Sequence, residues 1–249
     1  MKVTIRQIVV TAAMVAVVIL LSAPPLRLGF IPFVLGVAIT IIHIPVIIGA
    51  IMEGPLVGLI IGLLFGLSSL MWSYLSPTGP SDIYFQNPLL SVLPRLFIGP
   101  VAYLVYRALR RPSVPWTLFF GGTFLGLAAA FCYQLAQANV MAALLVAGIA
   151  LGAIAAFLYV ALQKQSEVTA VAVAAAIGTL TNTVLVLTML GVLSSLNWVA
   201  PPVPWEVLPA IALTNGIPEI VAAVLITVAV VAAWKQIEVG RKGSRILND

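Results

Sequence analysis

TIIHIPVIIGAIMEGPLVGLIIGLLFGLSSLMW, residues Thr40–Trp72, is the stretch that organises the chain. It is almost wholly apolar. Its second half repeats glycine at every fourth position, at Gly54, Gly58, Gly62 and Gly66. At helical pitch these glycines share one face and leave a groove where another backbone can come close. In lipid, apolar burial does not drive helices together, and small-residue faces of this kind let them pack. The ridge therefore reads as a helix-packing surface rather than a functional one. The first half carries His43 and Pro45 beside no polar side chain stronger than Thr40. A glycine ridge next to a buried polar point suggests a membrane protein built around an internal site.

Composition leads to the same class. Hydrophobic residues make up 62% of the chain and charged residues 8%, far from the balance of soluble domains. Several apolar runs reach the roughly 20 residues needed to cross a bilayer. The expected fold is an all-α polytopic membrane protein, a single integral membrane domain over residues 1–249. Cys132 stands alone in an apolar run, which excludes a disulfide framework within the chain and argues against a thiol metal cluster. The net charge of +5 would suggest nucleic acid in a soluble protein. Here it reads as topology, because the basic residues fall between spans. The first apolar run, behind Lys2 and Arg6, continues to Pro24 with no small-x-small cleavage pattern, so it reads as a span and not as a removable signal.

Eight spans are expected: 5–23, 34–51, 56–75, 89–109, 116–136, 140–162, 169–193 and 207–234. Pro24-Pro25 stops the first, Glu53-Gly54-Pro55 turns the second into the third, and Ser76–Asn87 is the longest polar link. With both termini on the cytoplasmic side, the inner segments carry Lys2, Arg6, Arg107, Arg110, Arg111, Lys164, Lys235, Arg241, Lys242 and Arg245. The outer loops then carry Arg27 alone, and Arg95 lies within the fourth span. That asymmetry sets the orientation and favours an even number of spans.

A charge at the bilayer centre costs about 2.5–3.5 kcal/mol on insertion scales, so each one needs a reason. Arg95 lies two turns into span 4, His43 near the middle of span 2, and Glu219 near the middle of span 8, just after Pro218. Asn182 stands among threonines, and Asn215 precedes Glu219 by four residues, on the same helix face. Pro218 removes a backbone donor, and Gly216 loosens the helix further. The last span therefore offers a carboxylate, an amide and a freed carbonyl in one turn, a ligand-binding wall. Structural readings stand beside this one. Asn182 serves equally well as interhelical glue. Arg95 could snorkel to the outer interface, and His43 could bond a backbone carbonyl. Glu219 needs a partner from another helix, and His43 is at a similar depth.

Absent motifs narrow the chemistry. There is no G-x-x-x-x-G-K-[ST] loop for hydrolysing ATP, no H-E-x-x-H, and one histidine in all. No metal site and no enzymatic activity are expected.

Five stretches, taken together and in order, resemble the substrate-binding S components of energy-coupling factor (ECF) vitamin transporters. They are His43-Ile44-Pro45-Val46-Ile47-Ile48-Gly49-Ala50, the run Gly54-Pro55 through Ser69, Leu93-Pro94-Arg95 with Gly99, Thr181-Asn182-Thr183-Val184, and Asn215-Gly216-Ile217-Pro218-Glu219. The likeness is greatest to the branch that binds pantothenate and related cofactor precursors. It implies a six-helix core in 1–111 and 168–234, an inserted helix pair at 115–163 that departs from the family's usual six spans, and a cytoplasmic tail at 235–249. It further implies capture of a small water-soluble vitamin or precursor from outside the cell membrane. Delivery would pass through a separate transmembrane coupling protein and two ATPases, which use the ATP, so that this chain needs no cofactor. The residues expected to hold the ligand are His43, Arg95, Asn182, Asn215 and Glu219, with Tyr84 and Phe85 covering it and Asp82 or Gln86 bonding it. Ala12 and Ala16 match the face that docks on the coupling protein in that family. The inserted pair is expected to pack peripherally. The alternative is a self-sufficient proton-coupled secondary transporter in which Glu219 carries the proton, and a third reading is a membrane scaffold with no ligand.

Overall fold

The structure, a computed structural model, describes residues 4–25, 27–32, 38–77, 79–110 and 167–246, with scattered helical positions between 126 and 152. Most of the expected helix pair at 115–163 lies outside the described residues.

Helix α1 (Ile5–Ser22) opens on a capping box. Thr4 Oγ1 accepts the Gln7 N–H and Gln7 Oε1 accepts the Thr4 N–H, which satisfies two of the donors a helix start leaves open. A short antiparallel hairpin follows, β1 (Phe30–Pro32) with β2 (Ala38–Thr40). Helix α2 (Ile44–Glu53) has proline in its first turn, and Gly54 leads directly into α3 (Pro55–Leu75). Beyond a 3₁₀ segment at Pro80–Gln86, α4 (Pro88–Ser91) and α5 (Leu93–Arg110) form one broken rod. Helix α6 (Glu167–Ser195) and helix α7 (Leu208–Ile246) complete the described core. Among the described residues, five helical stretches are long and apolar enough to cross a membrane, in α1, α3, Pro88–Arg110, α6 and Trp205–Gln236, and α2 is a shorter apolar helix. The protein is a multi-pass, membrane-embedded helical protein.

One expectation is corrected. Span 2 is not a continuous helix. Its helix begins at Ile44, and residues 38–40 are a strand. The β-branched run around Thr40 suits an extended chain, and a proline near the start of a helix is tolerated where one in its middle is not. His43 is therefore the residue that opens α2, not the middle of a span. The last span, expected at 207–234, agrees with the apolar stretch Trp205–Gln236. Its helix α7 runs through Pro218 without a break and continues past Trp234 to Ile246.

The glycine ridge divides in two. Gly54 has φ of +104° and open space where a Cβ would stand. It is a turn residue, because other residue types rarely adopt that backbone. Gly58, Gly62 and Gly66 face the α4–α5 rod. A Cβ on Gly58 would lie 2.8 Å from Gly99 Cα, one on Gly66 would lie 2.7 Å from Val92 Cα, and one on Gly62 would strike the Arg95 carbonyl. Contact this close sets the height of Arg95 against α3. Around it, Val46, Ile47, Ile61, Phe65, Ile98, Ala102 and Ala174 form the main apolar core.

At the Gly54 end, polar contacts tie helix ends together. Arg6 pairs with Glu53. Glu167 pairs with Lys235 and, at 3.7 Å, with Arg110, and its Oε1 accepts the Tyr106 hydroxyl at 2.8 Å. On α1, Ala12, Ala13 and Ala16 point away from the bundle and are exposed.

Candidate functional site

The hairpin end of the bundle holds a cavity of about 600 Å³. The hairpin, the last turns of α3, the 3₁₀ segment, the start of the α4–α5 rod, the middle of α6 and the first half of α7 enclose it. Non-helical backbone at this depth is tolerated because it is covered by protein and lines the cavity.

Arg95, Asn182, Asn215, Glu219 and Tyr84 all contribute to the wall. Residues from three different helices and a loop, as much as 135 positions apart in sequence, thus face one space. Arg95 is 5% exposed. Its guanidinium donates to the Leu90 carbonyl and sits 4.9 Å from the Phe85 ring centre and 5.5 Å from that of Phe65. Among the described residues it has no ion-pair partner, and its Nε has no hydrogen-bond partner. The two rings offset part of the several kcal/mol that burying an ion costs, and Glu219, whose charge acts on Arg95, lines the same cavity.

Glu219, also 5% exposed, accepts the Thr40 N–H on Oε1 at 2.8 Å. The contact pins the end of β2 to α7, and it is the partner from another element that the carboxylate needs. His43 does not line the cavity. It is fully buried, with Nε2 3.1 Å from Thr179 Oγ1, and Thr179 in turn donates to the Ala175 carbonyl. Asn182 is buried in the wall, and its Oδ1 has no partner among the described residues. Asn215, one turn before Glu219, has Oδ1 3.3 Å from the Thr214 hydroxyl.

The cover over the cavity has its own chemistry. Arg27, whose backbone is left-handed at φ 40°, pairs with Asp82 at 3.3 Å and donates to the Ser76 carbonyl. One side chain thereby joins the loop after α1 to the loop after α3. Asp82 lies in the cavity wall on this pair. Gln86 lies outside the wall and donates to the Ser73 carbonyl at 3.0 Å. The opposite side is apolar and firmly held. Trp205 lies against Gly191 and donates from Nε1 to Ser195 Oγ at 2.9 Å, and Val203, Leu187 and Leu190 face the cavity.

Sequence reading passed over Thr40 and Trp72 as wall residues. Thr40 acts through its backbone N–H, which no side-chain pattern reveals. Trp72 sat at the end of an apolar run, where tryptophan commonly marks a membrane interface. Among the described residues no group of three or more His, Cys, Asp or Glu is placed to hold a metal ion.

Comparison with known proteins agrees with this architecture. The family model for the ECF transporter substrate-specific component matches residues 6–135, more than half of the chain. A pantothenate transporter PanT from Leuconostoc mesenteroides is 30% identical over 128 residues, 50% of this chain and 62% of that protein's length, so the match spans less than two thirds of that relative. A pantothenic acid transporter PanT from Lactococcus lactis is 29% identical over 199 residues, 78% of this chain and 76% of that one. With the family's match covering α1 to α5 and those helices carrying the glycine ridge and Arg95, the chain belongs to the substrate-specific components of ECF transporters.

Proposed function

We propose that this protein captures a small acidic vitamin or cofactor precursor of the pantothenate type from outside the cell. A separate coupling protein with two ATPases would then drive its release inside. The observation that carries the substrate class is Arg95. It is a buried guanidinium at the cavity wall with no carboxylate within ion-pair distance among the described residues. A ligand carboxylate would complete it through charge-assisted hydrogen bonds. Asn182, Asn215 and Glu219 would serve the ligand's hydroxyl and amide groups. Tyr84 and Phe85 would close over it, and His43 would support the wall from behind through Thr179. The names of the two relatives favour pantothenate.

In this reading both termini are cytoplasmic, as the placement of the basic residues favours, and the hairpin end faces outward. The exposed Ala12–Ala16 face of α1 is where helices of the coupling protein would approach, since small side chains let backbones come close. The inserted segment 115–163 would add a helix pair at the periphery, for eight spans in all.

Isothermal titration of the purified protein with pantothenate tests the reading. Wild type binds, and Arg95→Ala loses affinity about 100-fold, the upper range for a hydrogen bond to a charged group. Unchanged affinity in Arg95→Ala overturns the assigned anchor. In liposomes, uptake is expected with the coupling module and ATP. Proton-driven uptake by this chain alone would instead establish the secondary transporter working through Glu219.

A further inference from the structure

We propose that Ser69 is a specificity-determining residue of the cavity, its hydroxyl bonding a polar group that the ligand carries about 6 Å from the carboxylate held at Arg95. The proposal rests on the acid-binding reading above and adds what the ligand must carry along its length.

Ser69 stands on the cavity side of α3. Phe65, Ser69 and Trp72 follow at helical spacing, and all three line the cavity. Leu64, Leu67 and Met71, all exposed, lie on the opposite side of the helix. The half-buried Ser69 thus owes its remaining exposure to the cavity. Its proton sets it apart. The α-helices contribute four hydroxyl side chains to the described wall, on Ser22, Ser69, Ser73 and Thr183. A helical serine or threonine commonly donates to a carbonyl of the preceding turn. Ser22 does so to Ile19, Ser73 to Leu70 and Thr183 to Thr179. Ser69 does not. The Phe65 carbonyl, four residues before it, already accepts the Ser68 hydroxyl at 3.1 Å. Among the described residues the Ser69 hydroxyl has no hydrogen-bond partner, and its oxygen is not closed off from the surface.

A hydroxyl open to a wet cavity is satisfied by water. A ligand displaces that water, and a hydroxyl left facing hydrocarbon then counts against it. A site built to bond a polar group rejects the analogue that lacks one far more strongly than an apolar pocket rejects a misfit. Helix geometry sets where the polar group must be. Phe65, whose ring centre lies 5.5 Å from the Arg95 guanidinium, is one turn before Ser69. Four residues advance about 6 Å along the axis. An amide joined through two methylenes to a carboxylate lies at about that distance from it. A hydroxyl can donate to the amide carbonyl or accept from its N–H. The ligand is therefore an acid with an amide or a similar polar group at this point, and acids with a plain hydrocarbon chain there are excluded.

Two probes differ at that point alone: pantothenate, and its analogue with –CH2–CH2– in place of the amide –NH–CO– and the hydroxyls kept. Each competes with tritiated pantothenate for wild type, Ser69→Ala and Ser68→Ala. Alanine suits a helix interior, so both variants keep α3. Wild type is expected to prefer pantothenate. Ser69→Ala should lose about 3- to 10-fold for pantothenate, the worth of one neutral hydrogen bond. It should bind the analogue no worse than wild type does, so the preference narrows by that factor. Ser68→Ala, next in sequence but bonded to the Phe65 carbonyl, keeps the wild-type preference. Unchanged pantothenate affinity in Ser69→Ala, equal losses for the two probes, or the same narrowing in Ser68→Ala overturns the assignment and leaves the acid-binding reading standing. An analogue that competes with neither wild type nor Ser69→Ala also overturns it, because the amide is then read elsewhere. Wild type that binds no pantothenate overturns both.

Discussion

The middle of this bundle and its hairpin end are built by different means. Through the middle, helices touch backbone to backbone. Gly58 faces Gly99, and the surrounding core is aliphatic. At the hairpin end, the same helices diverge around a cavity. There an apolar cluster around Leu190 is joined by single polar contacts: Glu219 on the Thr40 N–H, Arg27 on Asp82, and Trp205 Nε1 on Ser195. The difference teaches how one membrane fold combines a rigid body with a ligand-sized opening. Small residues remove space where none is needed, and single hydrogen bonds hold the wall where space must stay.

The comparison predicts a graded series of effects. The largest is expected from Gly58→Leu, because a side chain there meets the Gly99 backbone, which cannot swing aside. Overpacking of this kind costs about 1–3 kcal/mol or more, a fall in melting temperature of about 5–10 °C in detergent. An unchanged melting temperature would break the contrast, since the two halves would then be equally loose.

Next comes Glu219→Ala at the cavity end. It removes the acceptor of the Thr40 N–H and frees the end of β2. A hydrogen bond to a charged group contributes about 1.5–3 kcal/mol, so pantothenate affinity should fall about 10- to 100-fold. Titration calorimetry checks this against thermal unfolding. A loss of stability with affinity intact would make Glu219 a structural residue only.

Thr179→Val sharpens the boundary between the halves. It takes away the partner of His43 Nε2, behind the cavity wall. We expect a loss of about 1 kcal/mol, or about 2–4 °C, with affinity unchanged. A large change in affinity would bring His43 into the site.

The smallest effect on stability is expected from Arg27→Gln, within about 0.5–1 kcal/mol, as for other ion pairs near the surface. Its consequence is kinetic. Ligand release should quicken a few-fold, with little dependence on salt because the pair is partly buried. Stopped-flow release from wild type and Arg27→Gln checks this, and equal rates would point to a cover held by apolar contacts alone.

Legibility in sequence followed the same division. The glycine ridge was readable because a four-residue repeat is a local property of a helix, and three of its four members meet the neighbouring rod. The fourth, Gly54, belonged to the turn that the following proline already announced. The wall residues Arg95, Asn182, Asn215 and Glu219 stood out because charges and amides are costly in an apolar run. His43 stood out for the same reason, yet lies behind the wall. Cost marks a residue as needing a partner and does not say whether that partner is a ligand or, as here, the Thr179 hydroxyl.

By itself, then, the sequence determined the class of the protein, most helix limits and the polar residues that require an explanation. These depend on composition, on the length of apolar runs and on helical period, all of which are local. Only the tertiary structure decided that residues 38–40 are a strand and that His43 lies behind the cavity wall on Thr179. An apolar run such as Ala38–Ile42 can be helix or strand. The strand pairs with Phe30–Pro32 and is tied at its end by a carboxylate 179 positions away that accepts the Thr40 N–H, and contacts between such distant residues exist only once the chain has folded.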